Sequence, residues 1–476
     1  MRIAILSSEA VPFAKTGGLA DVAGALPKAL KALGEDVTLI MPLYAQVDRA
    51  LLNGGEVIND LDFDWRGGNY RVAVWYSETA AGAPTFLIDA PEFFARNAIY
   101  GFRDDHFRFA FFCRAALALL KRMGPPPDIV HLNDWPGGFG ATEIWSRRRY
   151  DAYFAKTRTV FSIHNLAYQG VFDPNELWLL GFGYDQERNM FLMDRAASAL
   201  KAGLMTADVL STVSRRYSFE IQGPEHGHGL EWLLRQRRDR LAGITNGVDY
   251  DVWNPAIDPD LTNHFSAEDL DGKRQCKLDL LKRFGLPEEP QRPIIANISR
   301  LTPQKGFDLI QQAARALLNT ECFFIALGSG SSEYEDFLQS MQNHAPHRVG
   351  FYQGFNEPLA HQIEAGADIF LMPSRYEPCG LNQMYSLRYG TVPVVRATGG
   401  LDDTVEEFDR ERGTGNGFKF HQYEAGAMLE KIYQALYCYR EPEVWRRIQL
   451  NGMAVDNSWT AAADKYRQLY QAALEL

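Results

Sequence analysis

A chain of 476 residues is too long for a single hydrophobic core, and we expect about two to four domains. Hydrophobic residues make up 46% and charged residues 23%, as in ordinary globular proteins, while the net charge of −11 disfavours binding to nucleic acid or to an anionic membrane. The five cysteines form no C-x-x-C pair and no long uncharged apolar run occurs, which argues against disulfides, a zinc site and a transmembrane helix and favours a cytoplasmic protein.

The first predicted strand and helix enclose a glycine-rich turn. Ile3–Leu6 is an apolar run typical of a buried strand, and Val22–Leu33 has apolar residues at helical spacing. Between them lies the segment K-T-G-G-L-A-D, in which Lys15 precedes Gly17 and Gly18. Glycines let the backbone approach a ligand and a helix start offers N–H donors, so this turn suits a phosphate or a sugar hydroxyl. It matches neither the Walker nor the G-x-G-x-x-G motif, and an ordinary turn with a solvated lysine stays the alternative.

Strand and helix patterns alternate through the first half of the chain, which is typical of a mainly parallel α/β sheet with crossover helices. Residues 53–80 interrupt this rhythm with paired glycines and alternating aromatic residues, and we interpret them as a β-hairpin insert with Asp62 on a solvated face. A helix is predicted over Arg103–Met123. Further strands are predicted at Val37–Met41, Thr85–Ile88, Asp128–Leu132, Thr159–Ile163 and Val209–Val213.

Polar residues follow several of these predicted strands. Asp134 comes soon after one strand and His164 directly after the next. In open parallel sheets ligands bind at the carboxyl ends of the strands, so we expect Asp134 and His164 to share one rim with Lys15. Tyr100 and Phe102, in a loop before the long helix, are candidates for stacking on a sugar, with core packing as the alternative.

A second α/β alternation follows a change of character near residue 243. The polar segment 258–272 separates the two parts, which predicts two α/β domains in tandem with a cleft between them. The predicted elements are the strands Pro293–Ile298, Cys322–Leu327, Ile369–Met372 and Val392–Val395 and the helix Phe307–Leu318.

Two loops of this second domain carry candidate chemistry. Arg300 and Lys305 lie between a strand and a helix, where two cations suit a diphosphate, although a solvated basic loop is the alternative. Glu377 precedes a proline, and its carboxylate can hold sugar hydroxyls or offset positive charge. Cys379 and Gly380 should open the next helix and donate backbone N–H groups, while Cys379 as a nucleophile is disfavoured because the motif contains no histidine.

These motifs together resemble the bacterial glycogen synthase and plant starch synthase family, the ADP-glucose-dependent retaining glucosyltransferases of the GT-B fold. Many related GT-B transferases carry a second glutamate eight residues after the first; here that position is Tyr385, as is usual in the synthase branch. The matching segments are K-T-G-G-L-A-D (15–21), H-L-N-D-W (131–135), H-N-L-A-Y-Q-G (164–170), L-K-A-G-L (200–204), N-G-V-D (246–249), W-N-P (253–255), S-R-L-T-P-Q-K-G (299–306), P-S-R-Y-E-P-C-G-L (373–381), T-G-G-L-D-D-T-V (398–405) and the tail 456–470.

The resemblance implies a fold class and a domain plan. The chain would consist of two Rossmann-like α/β domains facing across a cleft, with a C-terminal helix that crosses back to the first domain. The domains implied are 1–244 on the glucan acceptor side, 245–455 on the ADP-glucose side and 456–476 as the crossover helix.

The resemblance also implies a role for each site residue. Glu377, His164, Arg300 and Lys305 would be catalytic: the two cations hold the diphosphate, Glu377 grips the glucose and His164 lies near its anomeric centre. The substrate-binding residues implied are Lys15, Gly17, Gly18, Asp21, Asp134, Asn246, Cys379, Gly380 and Gly400. Among these, Lys15 with the glycine backbone contacts phosphate and sugar, and Asp21 orients the lysine.

The reaction implied is glucosyl transfer from ADP-glucose to the non-reducing 4-hydroxyl of an α-1,4-glucan, such as glycogen, starch or a maltooligosaccharide, with retention of configuration. No metal or other cofactor is expected, and neither nucleic acid nor a membrane is an expected partner. We expect a bacterial cytoplasmic enzyme, with a mature plastid protein as the alternative. Two other readings remain: a GT-B transferase that uses a UDP-sugar, and a glucan-binding subunit with a degenerate site.

Overall fold

The computed structural model describes residues 1–78 and 83–476. The chain forms two compact units. Unit 1 comprises Met1–Gly247 and Trp459–Leu476, and unit 2 comprises Val248–Ser458. None of the helices within these described ranges is both long enough and apolar enough to cross a membrane.

Unit 1 is built on a nine-stranded sheet in the order β12-β11-β7-β6-β1-β2-β5-β4-β3. Neighbouring strands are parallel from β12 to β5, whereas β4 runs antiparallel to both β5 and β3. A small antiparallel sheet has the order β8-β10-β9. The strands are β1 Arg2–Leu6, β2 Asp36–Pro42, β3 Gly55–Trp65, β4 Gly68–Glu78, β5 Pro84–Asp89, β6 Ile129–Asn133, β7 Arg158–Ile163, β8 Val171–Phe172, β9 Leu192–Met193, β10 Ala196–Ser198, β11 Val209–Thr212 and β12 Leu241–Gly243.

Parallel strands need crossover connections, and in this sheet the crossovers are helices that cover its parallel part. The helices of this part of the chain are α1 Gly18–Ala32, α2 Pro91–Phe94, α3 Asp105–Met123, α4 Asp134–Arg147, α5 Asp185–Phe191, α6 Ala199–Thr206, α7 Arg215–Glu220 and α8 Glu231–Gln236. Short 3₁₀ helices lie at Arg49–Leu51, Pro174–Leu180 and Arg238–Arg240.

The hairpin predicted for residues 53–80 is confirmed up to Glu78, and its last two residues lie outside the described residues. It is joined to the main sheet rather than set apart, because β4 pairs with β5. Asp62 and Arg71 form an exposed ion pair of 2.8 Å across the hairpin, which confirms the solvated face.

Unit 2 contains a six-stranded sheet in the order β15-β14-β13-β16-β17-β18, with all neighbours parallel. The strands are β13 Ile294–Ile298, β14 Phe323–Gly328, β15 Val349–Gln353, β16 Ile369–Met372, β17 Val392–Arg396 and β18 Phe418–Phe420. The helices are α9 Asp271–Arg283, α10 Phe307–Asn319, α11 Ser332–His344, α12 Glu357–Gly366, α13 Asn382–Arg388, α14 Gly399–Thr404, α15 Ala425–Tyr439 and α16 Pro442–Met453, with a 3₁₀ turn at Pro303–Lys305.

The core of unit 2 lies on both faces of its sheet. Along β13, Ile295 joins one hydrophobic cluster, while Ile294 and Ala296 join the cluster of the opposite face. Successive side chains of a strand point to opposite faces, so a strand covered on both sides is apolar at most positions. This explains why the sequence shows nearly continuous apolar runs here rather than alternation.

The last helix of the chain, α17 Trp459–Leu474, belongs to unit 1. It packs against α1 and β7. Tyr470 donates or accepts a 2.8 Å hydrogen bond with Nδ1 of the buried His131 on β6, and Nε2 of His131 lies 2.6 Å from Ser162 Oγ on β7. Burial, together with the neighbouring His164, lowers the pKa of His131 to about 3, so the imidazole is neutral in this network.

Candidate active site

The glycine-rich turn of unit 1 presents Lys15 beside a carboxylate. Lys15 Nζ lies 2.6 Å from Asp21 Oδ1 on the first turns of α1. Both residues of the pair keep part of their surface exposed. The contact agrees with an orienting role for Asp21, and it leaves the remaining protons of the ammonium available to a ligand.

The start of α1 differs from the expected loop. The helix begins at Gly18, with Gly17 as its N-cap, and among the described residues no side chain caps it. The Gly17 N–H donates to Glu9 Oε2 at 3.2 Å, and the Thr16 N–H donates to the same oxygen at 2.6 Å. The expectation that the Gly17 amide meets a phosphate therefore needs revision, because a carboxylate of the protein already accepts from it.

Asp134 lies at the end of β6 and opens α4 without an intervening loop. Its backbone has φ 52°, in the left-handed region that few residues other than glycine adopt. Its Oδ1 accepts hydrogen bonds from the backbone N–H of His164 at 2.7 Å and of Asn165 at 3.4 Å. Burial raises the pKa of Asp134 to about 7, although these two N–H bonds oppose the shift. The structure thus brings Asp134 and His164 together at neighbouring strand ends.

The His164 ring is held by the residue before Asp134. His164 Nε2 lies 2.9 Å from Asn133 Oδ1, and Asn133 Nδ2 donates to the Leu6 carbonyl at 3.1 Å. Because an amide oxygen only accepts, Nε2 carries the proton. Burial lowers the pKa of His164 to about 4, so the ring is neutral near pH 7 and its Nδ1 is an acceptor.

Asn246 is buried near the end of the first segment of unit 1. Within the described ranges its Oδ1 is buried without a hydrogen-bond partner. A buried amide oxygen left unpaired costs about 1–3 kcal/mol, so this atom is a candidate for accepting a bond from a ligand.

In unit 2 the predicted lysine and glutamate meet directly. Lys305 Nζ lies 2.5 Å from Glu377 Oε2, which also accepts from Ser374 Oγ at 3.0 Å. The Glu377 side chain is almost fully buried, and Lys305 keeps only a small exposed fraction. An ammonium has three protons, so two remain for another acceptor after the bond to Glu377.

Arg300 lies five residues before Lys305 but in a different environment. It follows β13 and is exposed, with no acidic partner within the described ranges. The loop behind it is fixed, because the Leu301 N–H donates to the Ser329 carbonyl at 2.9 Å and the Leu301 carbonyl accepts from Ser331 at 2.8 Å. The backbone next to Arg300 is therefore held by hydrogen bonds, and the guanidinium is exposed and accessible to an anion.

The start of α14, at Gly399 and Gly400, fits closely against the Glu377 loop. The Gly400 N–H donates to the Glu377 and Pro378 carbonyls, each at 3.2 Å. A Cβ atom at Gly400 would lie 2.0 Å from the Cys379 carbonyl oxygen, which is far inside van der Waals contact. Gly400 is thus required for the packing that holds the Glu377 loop.

Cys379 and Gly380 do not open α13, contrary to expectation. The helix begins two residues later, at Asn382, because Gly380 takes φ 71°, which α-helical backbone does not adopt. Cys379 is buried. The amides of both residues belong to the turn before the helix.

Comparison with known proteins decides the family. Residues 2–236 match the model for the starch synthase catalytic domain, and residues 280–449 match the model for glycosyl transferases group 1. The chain is similar to glycogen synthases from Anaeromyxobacter sp. (strain Fw109-5), at 46% identity over 99% of both chains, and from Koribacter versatilis, at 43% identity over 100% of this chain and 99% of the relative.

The chain belongs to the glycogen synthase and starch synthase family. Its structure is similar to the catalytic domain of starch synthase IV from Arabidopsis thaliana bound to ADP and acarbose, with a TM-score of 0.91, 33% identity, and coverage of 100% of this chain and 99% of that one. It is a glucosyltransferase of the GT-B fold class, built from two Rossmann-like units, as the motifs predicted.

Several residues of this glycogen synthase family member were missed or misplaced by sequence reasoning. Nothing in the sequence pointed to a role for Glu9, which holds the turn around Gly17, because it lies in a short segment without a motif. The side chain of Tyr100 makes its contacts within the protein. Its hydroxyl donates to Glu9 Oε1 at 2.9 Å, and its ring packs near Phe109. Phe102 carries the Arg108 guanidinium on its ring face at 4.9 Å. Packing and hydrogen bonding within the protein therefore account for Tyr100, whereas Phe102 is half-buried and stacking of its ring on a sugar stays a prediction.

One group of potential metal ligands occurs among the described residues. Ligand-type atoms of Asp258, Asp260 and His361 lie within 4.8 Å of one another. Asp258 already accepts from His361 at 2.7 Å, from Tyr389 at 2.5 Å and from the Asp260 N–H at 2.9 Å. These bonds describe a buried hydrogen-bond network of unit 2, and the carboxylate has little acceptor capacity left for a cation.

Proposed function

We propose that this family member transfers glucose from ADP-glucose to the non-reducing 4-hydroxyl of an α-1,4-glucan with retention of configuration. The observation that carries the proposal is the buried contact between Lys305 and Glu377, with the exposed Arg300 at the end of the adjacent strand. The starch synthase domain of similar structure was solved with ADP and acarbose, which supports a nucleotide sugar and a glucan as the two substrates.

The unit 2 residues would hold the donor. Arg300 and the two remaining protons of Lys305 suit a diphosphate, whose two tetrahedral phosphate groups carry two negative charges in a nucleotide sugar. Glu377 Oε2 is used by Lys305 and Ser374, so Oε1 is the oxygen that would accept from glucose hydroxyls. The amides of Cys379 and Gly380, supported by Gly400, would donate to the same sugar.

The unit 1 residues would contact the sugar and the acceptor. Lys15 would offer its ammonium to the phosphate next to the glucose, with Asp21 fixing its direction. Neutral His164 would place an acceptor nitrogen or its backbone carbonyl near the anomeric carbon, while Asp134 holds the backbone of that loop. Asn246 would accept through its buried Oδ1, and Gly18 would present the first helical amide.

A front-face mechanism fits these groups best. Retention by double displacement needs a carboxylate nucleophile, and the position eight residues after Glu377 is Tyr385. In the front-face route the leaving diphosphate takes the proton of the acceptor hydroxyl on the same side of the sugar. Arg300 and Lys305 would offset the charge that develops on the leaving group, which lowers the barrier only if they are in place before the reaction.

We propose that the reaction needs no metal ion, because Arg300 and Lys305 would offset the charge of the diphosphate. Activity should survive dialysis against EDTA, and loss of activity that magnesium restores would reject this part of the proposal. We also propose that the enzyme works in the bacterial cytoplasm, where a nucleotide sugar is available.

The test of the function uses ADP-glucose labelled in the glucose. Label should enter a maltooligosaccharide primer, and an exo-acting α-1,4-specific amylase should release all of it. Label that resists this digestion would contradict the α-1,4 linkage, and label that enters no primer would contradict the transferase.

A further inference from the structure

Glu9 fills the anion-binding position of the glycine-rich turn. Glu9 is only 4% exposed to solvent. Oε2 accepts from the Thr16 N–H at 2.6 Å and the Gly17 N–H at 3.2 Å, and the Thr16 hydroxyl lies 2.9 Å from both carboxylate oxygens. Backbone amides just before a helix are where an external phosphate or carboxylate commonly binds. Here an internal carboxylate occupies them.

The carboxylate is itself held in place from the other side. The Tyr100 hydroxyl donates to Glu9 Oε1 at 2.9 Å and lies 2.7 Å from Ser8 Oγ. Tyr44 donates to the Ser8 carbonyl at 2.7 Å. Both oxygens of Glu9 therefore have donors, and the turn that carries Lys15 is hydrogen-bonded to the segment that follows β1.

The charge of Glu9 also changes what the turn can bind. A negative charge at these amides complements the positive end of α1, so a second anion placed on the same amides would meet a like charge. Of the groups that the turn can offer to a ligand, the Lys15 ammonium is then the one that carries a positive charge.

We propose that Glu9 is the positioning residue of Lys15: it locks the backbone of Thr16 and Gly17 so that the Lys15 ammonium meets the donor substrate. The inference rests on the proposed function, in which Lys15 contacts ADP-glucose. The alternative is a carboxylate that only stabilises unit 1. The two differ in whether the effect of losing Glu9 depends on the presence of Lys15.

A double-mutant cycle separates these readings. Glu9→Gln keeps the size of the side chain but replaces one acceptor oxygen with a donor group. It should lower kcat/KM for ADP-glucose by about tenfold or more, the factor that corresponds to one net hydrogen bond, and leave KM for a glycogen primer within about twofold. In a Lys15→Ala background the same change should lower kcat/KM by less than about threefold, because the residue being positioned is gone.

The matched control is Glu143→Gln, the same change at a buried glutamate of unit 1 that pairs with Arg114 at 2.9 Å and does not touch the turn. It should lower the unfolding midpoint and leave KM for ADP-glucose unchanged. If Glu9→Gln does not fold, Tyr100→Phe removes one bond to the carboxylate while keeping the ring, and should show a smaller loss with the same dependence on Lys15.

Equal losses from Glu9→Gln with and without Lys15 would overturn the proposal and leave a stabilising role. An unchanged kcat/KM in a folded Glu9→Gln protein would overturn it as well. Failure of the proposed function looks different, because the unaltered protein would then release no ADP from ADP-glucose and no cycle could be built on Lys15.

Discussion

Lys305 and Glu377 are 72 residues apart in sequence, yet Lys305 Nζ and Glu377 Oε2 lie 2.5 Å apart. They meet because β13 and β16 are adjacent parallel strands, and the loops after adjacent parallel strands emerge at the same edge of the sheet. In the donor half of the proposed site, Lys305 supplies a positive charge, and its bond to Glu377 fixes the direction of the ammonium. Breaking it should therefore cost catalysis more than it costs stability.

Lys305→Ala and Glu377→Ala should each lower kcat by about 10²–10³, the usual effect of removing one preorganised group in a transition-state site. Initial rates of ADP release at saturating ADP-glucose would measure this, with circular dichroism to confirm folding. The control is Lys431→Ala, which removes the partner of Glu407 in another lysine–glutamate contact of unit 2. That variant should keep its rate, and near-normal turnover of Lys305→Ala would refute the assigned role.

Gly400→Ala should damage activity through packing alone. The new methyl would lie 2.0 Å from the Cys379 carbonyl oxygen, so the loop carrying Glu377 must shift. We expect a loss in kcat/KM of about tenfold or more, since a displacement of about 1 Å at a site can cost 10² in rate. Gly426→Ala is the control: a methyl there meets open space in α15, and the change should stabilise the helix slightly. Equal rates for the Gly400→Ala and Gly426→Ala variants would show that the close packing at Gly400 does not support the site.

Glu364 should make the stability of unit 2 fall as the pH rises. Burial raises the pKa of this carboxyl to about 8, against opposing contributions from Ser386 and Lys273. In the unfolded chain it ionises near its ordinary value of 4.5, so between pH 4.5 and 8 the folded state binds more protons and its stability decreases with pH.

Glu364→Gln removes this titration. Between pH 5 and 7.5 the unfolding midpoint of the variant should then depend less on pH than that of the parent protein. The stability of the variant relative to the parent should therefore rise toward pH 7.5. Urea unfolding at several pH values, followed by fluorescence, measures it. A parallel pair of curves would contradict the assignment. Burial also lowers the pKa of Lys273 to about 8, so the titration of Lys273 affects stability mainly between its folded pKa and its ordinary value of 10.5, above the pH range of this measurement.

Tyr470→Phe should weaken the packing of the C-terminal helix α17 on the sheet of unit 1. The change removes the hydroxyl that bonds His131 Nδ1 at 2.8 Å and leaves that buried nitrogen without its partner. The expected cost is about 1–3 kcal/mol, seen as a lower urea midpoint. Tyr433→Phe alters an exposed tyrosine of unit 2 and should change nothing measurable. An unchanged midpoint for Tyr470→Phe would show that the hydrogen bond contributes little.

Local patterns in the sequence predicted the elements well where they are long and apolar. The strand at 3–6 and the helix at 307–318 follow from periodicity, and the structure confirms them within a residue or two. Short strands such as β12, β15 and β18 were missed, because three to five residues give too little pattern to separate a strand from a loop.

Contacts between distant segments could not be read in the same way. Lys15 and Asp21 are only six residues apart in sequence, and Asp21 lies in the first turn of α1, so a local motif suggests their contact. Glu9 and Tyr100 are 91 residues apart and meet only because the loop before α3 returns to the end of β1. Charge and spacing in one chain contain no information on such a return.

The most direct test of the account is nucleotide release from ADP-glucose and from UDP-glucose, each with and without a glycogen primer. The account predicts primer-dependent release of ADP that far exceeds release of UDP. Release from UDP-glucose alone would keep the fold and contradict the donor. Release from neither, in a protein that still binds glycogen, would contradict the proposal that this chain is a catalyst.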